Sequence, residues 1–241
     1  MTSPIERRAL ITGASSGIGK ATALAFAQAG IHVALISRSL DALEAVAHQA
    51  RQSGVGSSAY AFDLCQIDQI PEQIDKIITT FGPVDILVNN AGMGYTAALA
   101  ETSRDDWQRI IDLNLTSVFE CTKAILPAMR QQGSGSIINV VSIAGQQVFP
   151  NWGAYCVSKY GLMALSKAFA VEERSHGIRV CAICPGSVNT PIWDTETVQA
   201  DFDRSAMLTP EIVAQSILHA VQLPSQAVIE ELTLMPNAGT F

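Results

Sequence analysis

The feature that most constrains this chain is an alternation: short runs rich in β-branched residues are separated by longer stretches of helical periodicity, from Ala9 to Met235. Strands joined by helical crossovers run parallel, and a parallel sheet needs helices on both faces to bury it. The pattern predicts strands at Ala9–Thr12, His32–Ser37, Ala59–Asp63, Asp85–Asn89, Ser136–Val141, Arg179–Cys184 and Glu231–Met235. It predicts helices over Gly17–Ala29, Asp41–Gln52, Ile67–Phe81, Arg104–Arg130, Ala154–Ser175 and Pro210–Leu223. Gly30, Gly54, Gly82, Gly133 and Gly177 each follow a periodic stretch, where a left-handed cap residue is wanted. The expectation is a doubly wound, seven-stranded parallel sheet forming a single domain over residues 1–241, with no internal repeat or linker. The long irregular stretch at 186–209 follows the carboxyl end of a strand, where open α/β sheets bind ligands, and is expected to be a substrate lid.

Composition narrows the class. Apolar residues make up 48% of the 241 and charged residues 15%, which suits a thick, doubly covered core and a modest surface. A net charge of −7 with scattered Lys and Arg opposes nucleic-acid binding. No uncharged apolar stretch reaches the roughly 18 residues of a membrane span. Met1–Arg8 lacks the apolar segment of a leader, so a soluble, cytoplasmic protein is expected. Five cysteines, an odd number, fit a reducing compartment better than a disulfide framework. Cys181 and Cys184 lie three apart in a predicted strand and point to opposite faces, so they read as buried thiols and no metal is expected. His32, His48, His176 and His219 have no spaced partners.

Thr12-Gly13-Ala14-Ser15-Ser16-Gly17-Ile18-Gly19 joins the first strand to the first helix. Glycines there permit a tight turn, and the helix N-terminus offers unpaired N–H groups and a positive dipole end to a pyrophosphate. Lys20 suggests a triphosphate-binding loop, but that motif needs Gly at 14 and Ser or Thr at 21, where this chain has Ala14 and Ala21. An NAD site would place a carboxylate at the end of the second strand; here stand Ser37 and Arg38, which suit the 2′-phosphate of NADP(H) through charge-assisted hydrogen bonds. Further along, Tyr155 and Lys159 are four apart in the fifth predicted helix and share a face. A nearby ammonium favours the phenolate, and lowering a tyrosine by about three pKa units takes roughly 4 kcal/mol. Ser142 ends the fifth strand, where its hydroxyl can orient a carbonyl.

These signals occur in order: Thr12-Gly-x-x-x-Gly-Ile-Gly19, Asn89-Asn90-Ala91-Gly92, Asn114, Ser142, Tyr155-x-x-x-Lys159 and Pro185-Gly186. Over essentially its whole length the chain resembles the short-chain dehydrogenase/reductase family, whose fold is a Rossmann fold. The resemblance implies a general acid/base role for Tyr155, pKa lowering and ribose binding by Lys159, carbonyl positioning by Ser142, and a water-holding proton relay at Asn114. It places the cofactor against Gly13, Ser15, Ser16, Gly17, Ile18 and Gly19, with Asn90, Ala91 and Gly92 under the adenosine ribose. Asp63 and Leu64 would meet the adenine, and Pro185, Gly186, Val188 and Thr190 the nicotinamide. Asn90 has the alternative of pinning the sheet, and Asp63 that of capping a turn. Many NADP-preferring members carry a basic residue just before the second glycine, where this chain has Ser16.

Substrate contacts are expected from Ser142, Gln147, Trp152 and Tyr155, within a pocket that mixes the aromatic Tyr95, Phe149 and Trp193 with the amides of Gln146 and Asn151. The ending, Glu231-Leu-Thr-Leu-Met-Pro-Asn-Ala-Gly-Thr-Phe241, lacks the paired-glycine tail usual in 3-oxoacyl-acyl-carrier-protein reductases. It looks more like the branch acting on small carbonyl compounds or 3-hydroxy acids. The carrier-protein reductase stands as an alternative, and a catalytically silent cofactor-binding scaffold as one from another class. Family resemblance also implies a homodimer or homotetramer packed through the fourth and fifth helices.

Overall fold

The computed structural model describes residues 6–200 and 203–239. Met1–Ile5 of the start, residues 201 and 202 of the expected lid, and Thr240 and Phe241 of the tail lie outside the described residues. The strands are β1 (Arg8–Thr12), β2 (His32–Ser37), β3 (Ser57–Ala61), β4 (Ile86–Asn89), β5 (Gly135–Val140), β6 (Ile178–Pro185) and β7 (Glu231–Leu234). They form one parallel sheet in the order β3-β2-β1-β4-β5-β6-β7. The helices are α1 (Gly17–Gln28), α2 (Leu40–Arg51), α3 (Ile70–Phe81), α4 (Arg104–Ile111), α5 (Ser117–Gln132), α6 (Gly153–Glu173) and α7 (Pro210–Gln222). Strand order reverses between β1 and β4, which opens a crevice at their carboxyl ends.

Period-two alternation splits the core into two layers. Ala9, Ile11, Val33 and Leu35 pack with Phe26 of α1, Leu43 and Val46 of α2, and Val213 and Ile217 of α7. Leu10, Ile36, Leu87 and Ile137 face the other way, onto Ile74 and Ile77 of α3, Ile125 and Met129 of α5, and Phe169 of α6. Because both faces are covered, β4 is buried throughout, apolar from Ile86 to Val88 and ending on Asn89, whose Nδ2 donates to Thr122 Oγ1 and Asn139 Oδ1. Truncating one of these fully buried Leu or Ile side chains to Ala would cost about 2–5 kcal/mol. Cys181 sits in the first layer and Cys184 against Leu162 and Met163 of α6, so the two thiols are buried on opposite faces. The five glycines expected to end helices all take positive φ, from 65° at Gly133 to 100° at Gly82.

Three differences from the sequence expectation matter. The helix expected over Arg104–Arg130 is interrupted by a π turn at Asp112–Thr116, which separates α4 from α5. Its apolar residues continue across the turn, so periodicity gives no sign of the extra residue. Strand β3 ends at Ala61, two residues early, because Asp63 leaves the ladder and accepts a hydrogen bond from Cys65 N at 2.9 Å. Helix α6 ends beside an ion pair: Arg130, on α5, clasps the buried Glu173 with Nε and Nη2. Among the described residues no helix is long and apolar enough to cross a membrane.

Candidate active site

A cleft of about 1320 Å³ runs along the carboxyl edge of the sheet, from the turn at 13–19 to Tyr155 and Lys159. The turn is fixed from beneath. Asn90 Nδ2 donates to Thr12 O at 3.0 Å and Gly13 O at 3.2 Å, while Thr12 Oγ1 accepts from Asn90 N and Ala91 N, each at 3.0 Å. Gly13 has φ 64°, and a methyl group on Gly19 would stand 2.3 Å from Gly13 O, so neither position admits a side chain. The Asn90 amide N–H groups are thus spent on the turn, and Asn90, Ala91 and Gly92 all line the cleft. Helix α1 begins there with Ser16 making no side-chain cap and no acidic residue in its first turn. Its positive end is left to a bound anion. Ser15, Ser16, Gly17 and Ile18 all line the cleft, and Thr190 overhangs the turn, 3.2 Å from where a Gly17 methyl would be.

At the outer end of the cleft, Arg38 is exposed and makes no hydrogen bond or ion pair among the described residues. Ser37 Oγ accepts from Ser39 N at 3.3 Å. Asp63 and Leu64 line this end too, with one Asp63 oxygen already used on the turn. Arg109 of α4 is also here, a residue no sequence motif marks. An open helix N-terminus at one end of the cleft and an uncommitted guanidinium at its edge fit a phosphate-bearing dinucleotide.

At the inner end, Ser142 is held at φ 151°, ψ 161°, a region otherwise left to glycine, and its Oγ accepts from Ala144 N at 3.1 Å. The Ser142 hydroxyl lies near enough to the Tyr155 phenol to favour its ionised form. Burial pushes Tyr155 up to about 12, and the Ser142 hydroxyl only partly opposes it. Lys159, 5% exposed, donates from Nζ to Val140 O at 3.0 Å and lies 5.7 Å from the Tyr155 ring centre. Its burial lowers its pKa to about 8. Asn114, on the π turn, accepts from Met93 N at 2.8 Å and donates to Met93 O at 2.9 Å and Ser158 Oγ at 3.0 Å. Both its N–H groups are used, and Oδ1 keeps a lone pair. A methyl group on Gly92 would sit 3.2 Å from that oxygen and 3.7 Å from Lys159 Nζ, so the three converge.

The substrate side departs from expectation. Trp152 meets Tyr155 edge-on at 5.4 Å and Trp193 at 5.8 Å, and Trp193 Nε1 donates to Val188 O at 2.8 Å. Phe149, Met93 and Ile192 complete an apolar wall, and Pro185, Gly186 and Val188 border it. Gln147 is exposed and does not line the cleft; Gln146 is tied to Glu231 and Thr233 of β7. Tyr95 and Asn151 also lie outside the lining, with Tyr95 donating to Asp106 at 3.3 Å. The expected amide donors are therefore directed elsewhere. Met93 and Ile192 are wall residues that sequence reasoning missed; neither sits in a recognisable pattern.

Residues 7–201 match the family model described as short chain dehydrogenase. The chain is 37% identical over 215 residues to the 3-oxoacyl-acyl-carrier-protein reductase FabG of Thermotoga maritima, covering 87% of each chain. It is 36% identical over 235 residues to glycine betaine reductase ATRR of Emericella nidulans, covering 95% of this chain but only 18% of that much longer one. Among solved structures, an alcohol dehydrogenase from the archaeon Thermococcus sibiricus, complexed with 5-hydroxy-NADP, is similar with a TM-score of 0.88 and 32% identity, over 96% of this chain and 97% of that one.

Proposed function

Because this chain belongs to the short-chain dehydrogenase/reductase family of oxidoreductases, we propose that it uses NADP(H) to interconvert a carbonyl and an alcohol, with Tyr155 as the proton-transfer group. One observation carries this: Tyr155, Ser142 and Lys159 converge at the inner end of a cleft whose outer end presents an open helix terminus and Arg38. The bound nicotinamide supplies or accepts the hydride.

The chain's own residues hold the carbonyl and move the proton. Ser142 donates a hydrogen bond to the carbonyl oxygen. Tyr155, kept protonated by burial, releases its proton to that oxygen as negative charge develops on it. Lys159 is mostly cationic at neutral pH and favours the phenolate left behind. The free lone pair of Asn114 Oδ1 holds a water that returns protons from solvent through Lys159. Gly13, Gly17, Ala91 and Gly92 admit the cofactor backbone closely, while Gly19, which does not line the cleft, lets α1 pack against Gly13; Asp63, Leu64, Pro185, Gly186, Val188 and Thr190 flank the cofactor.

Preference for NADP(H) is supported by Arg38, by the absence of a carboxylate after β2, and by the 5-hydroxy-NADP in the Thermococcus structure. Small carbonyl compounds or 3-hydroxy acids fit the apolar, Trp-walled inner chamber. The similarity to the Thermotoga enzyme favours a second reading, a 3-oxoacyl-acyl-carrier-protein reductase. We assign residues 186–209 as a substrate lid and residues 1–241 as one cytoplasmic domain that assembles as a homodimer or homotetramer. Exposed Phe119, Val157, Tyr160 and Val171 on α5 and α6 support that assembly. The test is NADPH oxidation with a panel of aldehydes, diketones, β-ketoesters and a β-ketoacyl thioester. Turnover of the small compounds is expected; silence across the panel supports the scaffold instead.

A further inference from the structure

A backbone held at φ 151° and ψ 161° persists only where its surroundings over-determine it, and Ser142 is such a residue. The turn that follows it is tight. Gly145 N donates to Ser142 O at 2.9 Å, Gln146 N to Ile143 O at 2.9 Å and Gln147 N to Ile143 O at 3.0 Å, so residues 142–147 form one piece. Those bonds are local. They do not fix the piece against the rest of the molecule.

Two grips do. On one side Gly145 is pressed to α6: a methyl group there would lie 2.8 Å from Lys159 O and 2.6 Å from Val141 Cγ1. On the other, the Gln146 side chain leaves the turn for β7, where its Nε2 donates to Glu231 Oε1 and, at 2.9 Å, to Thr233 Oγ1. β7 is a firm base for this contact. It pairs with β6 from Ala182 beside Glu231 to Pro185 beside Leu234, and Gly186 N donates to Leu234 O at 2.7 Å. The second Glu231 oxygen meets Lys167 Nζ of α6 at 3.3 Å. Ser142, Ile143 and Ala144 line the cleft and Gln146 does not, so its hold is exerted from outside the site.

We propose that Gln146 is a positioning residue for Ser142: its amide, clasped to Glu231 and Thr233 of β7, fixes the turn that keeps the Ser142 hydroxyl aimed at the substrate carbonyl. This rests on the carbonyl-reducing function proposed above and deepens it. The clasp lies at the surface, where water competes for each bond, so its removal acts on placement more than on foldedness.

The experiment measures kcat and KM with NADPH and diacetyl, or with the compound of the panel above that turns over fastest, and records a melting temperature for each variant. Gln146→Ala should lower kcat about tenfold, part of the roughly hundredfold that a misplacement of about 1 Å can cost, and leave the KM for NADPH within about twofold. Gln146→Glu sets a second carboxylate against Glu231 and should lower kcat at least as far. Reversing the pair, in Gln146→Glu/Glu231→Gln, restores an amide facing a carboxylate, and Thr233 can serve either as donor or as acceptor, so kcat should return to within about threefold of the unaltered value. In a Ser142→Ala background, Gln146→Ala should change kcat by less than about twofold, because its target is already gone. An unchanged kcat in Gln146→Ala overturns the proposal while leaving the carbonyl-reducing function intact. So does a loss that persists undiminished without the Ser142 hydroxyl, or a reversed pair that recovers nothing. If the unaltered protein, folded and binding NADPH, reduces nothing in the panel, that function itself fails and the role of Gln146 falls with it.

Discussion

Lys159 stands 5.7 Å from the centre of the Tyr155 ring yet gives its hydrogen bond to the Val140 carbonyl. The lysine is thereby held in place by the sheet and acts on the phenol through its charge. Burial raises the one pKa to about 12 and lowers the other to about 8, so the ammonium is the group that titrates first.

That order predicts a pH profile. The folded pKa of Lys159 is depressed below its ordinary 10.5, so its charge is present below about 8 and lost above it. We expect kcat/KM for NADPH to fall as pH rises through about 8, since this ratio reports the free protein. Lys159→Arg, whose guanidinium keeps its charge, should lack this limb. Initial rates between about pH 6 and 10 for both proteins check it.

Tyr155→Phe should lose about 10²–10⁴-fold in turnover, the usual worth of a positioned acid. Phe keeps the ring that meets Trp152 edge-on, so folding and NADPH binding should persist. Steady-state rates and a fluorescence titration of NADPH test this, and near-normal turnover removes Tyr155 from its role.

Arg38→Ala should weaken NADPH binding by about 1.5–3 kcal/mol, roughly ten- to a hundredfold, while NADH binding changes little. An unchanged ratio of the two dissociation constants removes Arg38 from cofactor choice.

Ser142 sits where only glycine is unstrained, so a comparison of two substitutions isolates the backbone cost. Both Ser142→Gly and Ser142→Ala lose the hydroxyl bond to Ala144 N and most turnover. The glycine variant should nonetheless be the more stable by about 1 kcal/mol or more, seen as a melting temperature higher by about 2–4 °C.

Arg130→Ala leaves the buried Glu173 carboxylate without its partner, and we expect a loss of about 2–3 kcal/mol at pH 7. Arg130 holds the Glu173 carboxyl below its ordinary 4.5, so this stabilisation is present above that pH and lost as pH falls through and below it. Urea unfolding at neutral and acid pH should show the gap between the two proteins narrowing.

Much of this was legible in the chain. Alternation of strand and helix patterns located all seven strands, because strands covered on both faces are mostly apolar, as β4 is from Ile86 to Val88. The glycine-rich turn was legible since Gly13 and Gly19 answer steric demands of the backbone itself. Side-chain direction was less so. Asn90 bonds the turn and Asp63 its own turn while both still line the cleft, and Gln146 turned to β7, because each found a polar partner that only the tertiary fold brings near. Met93 reaches the site from an irregular loop and Ile192 from a short 3-10 turn, whose paths no periodicity encodes.

The π turn at Asp112–Thr116 has a consequence for how this protein can change. Each residue advances a helix by about 100°, so the widened turn sets the azimuth of everything after it. With it, Asn114 reaches Met93 and Ser158 while Cys121, Ile125 and Met129 still face the sheet. Deleting one residue to restore an ordinary helix would swing that apolar stripe a quarter-turn off the core. Loss of the relay position and loss of foldedness are thus coupled, which makes this helix a poor place for gradual drift and a sensitive one for insertion or deletion.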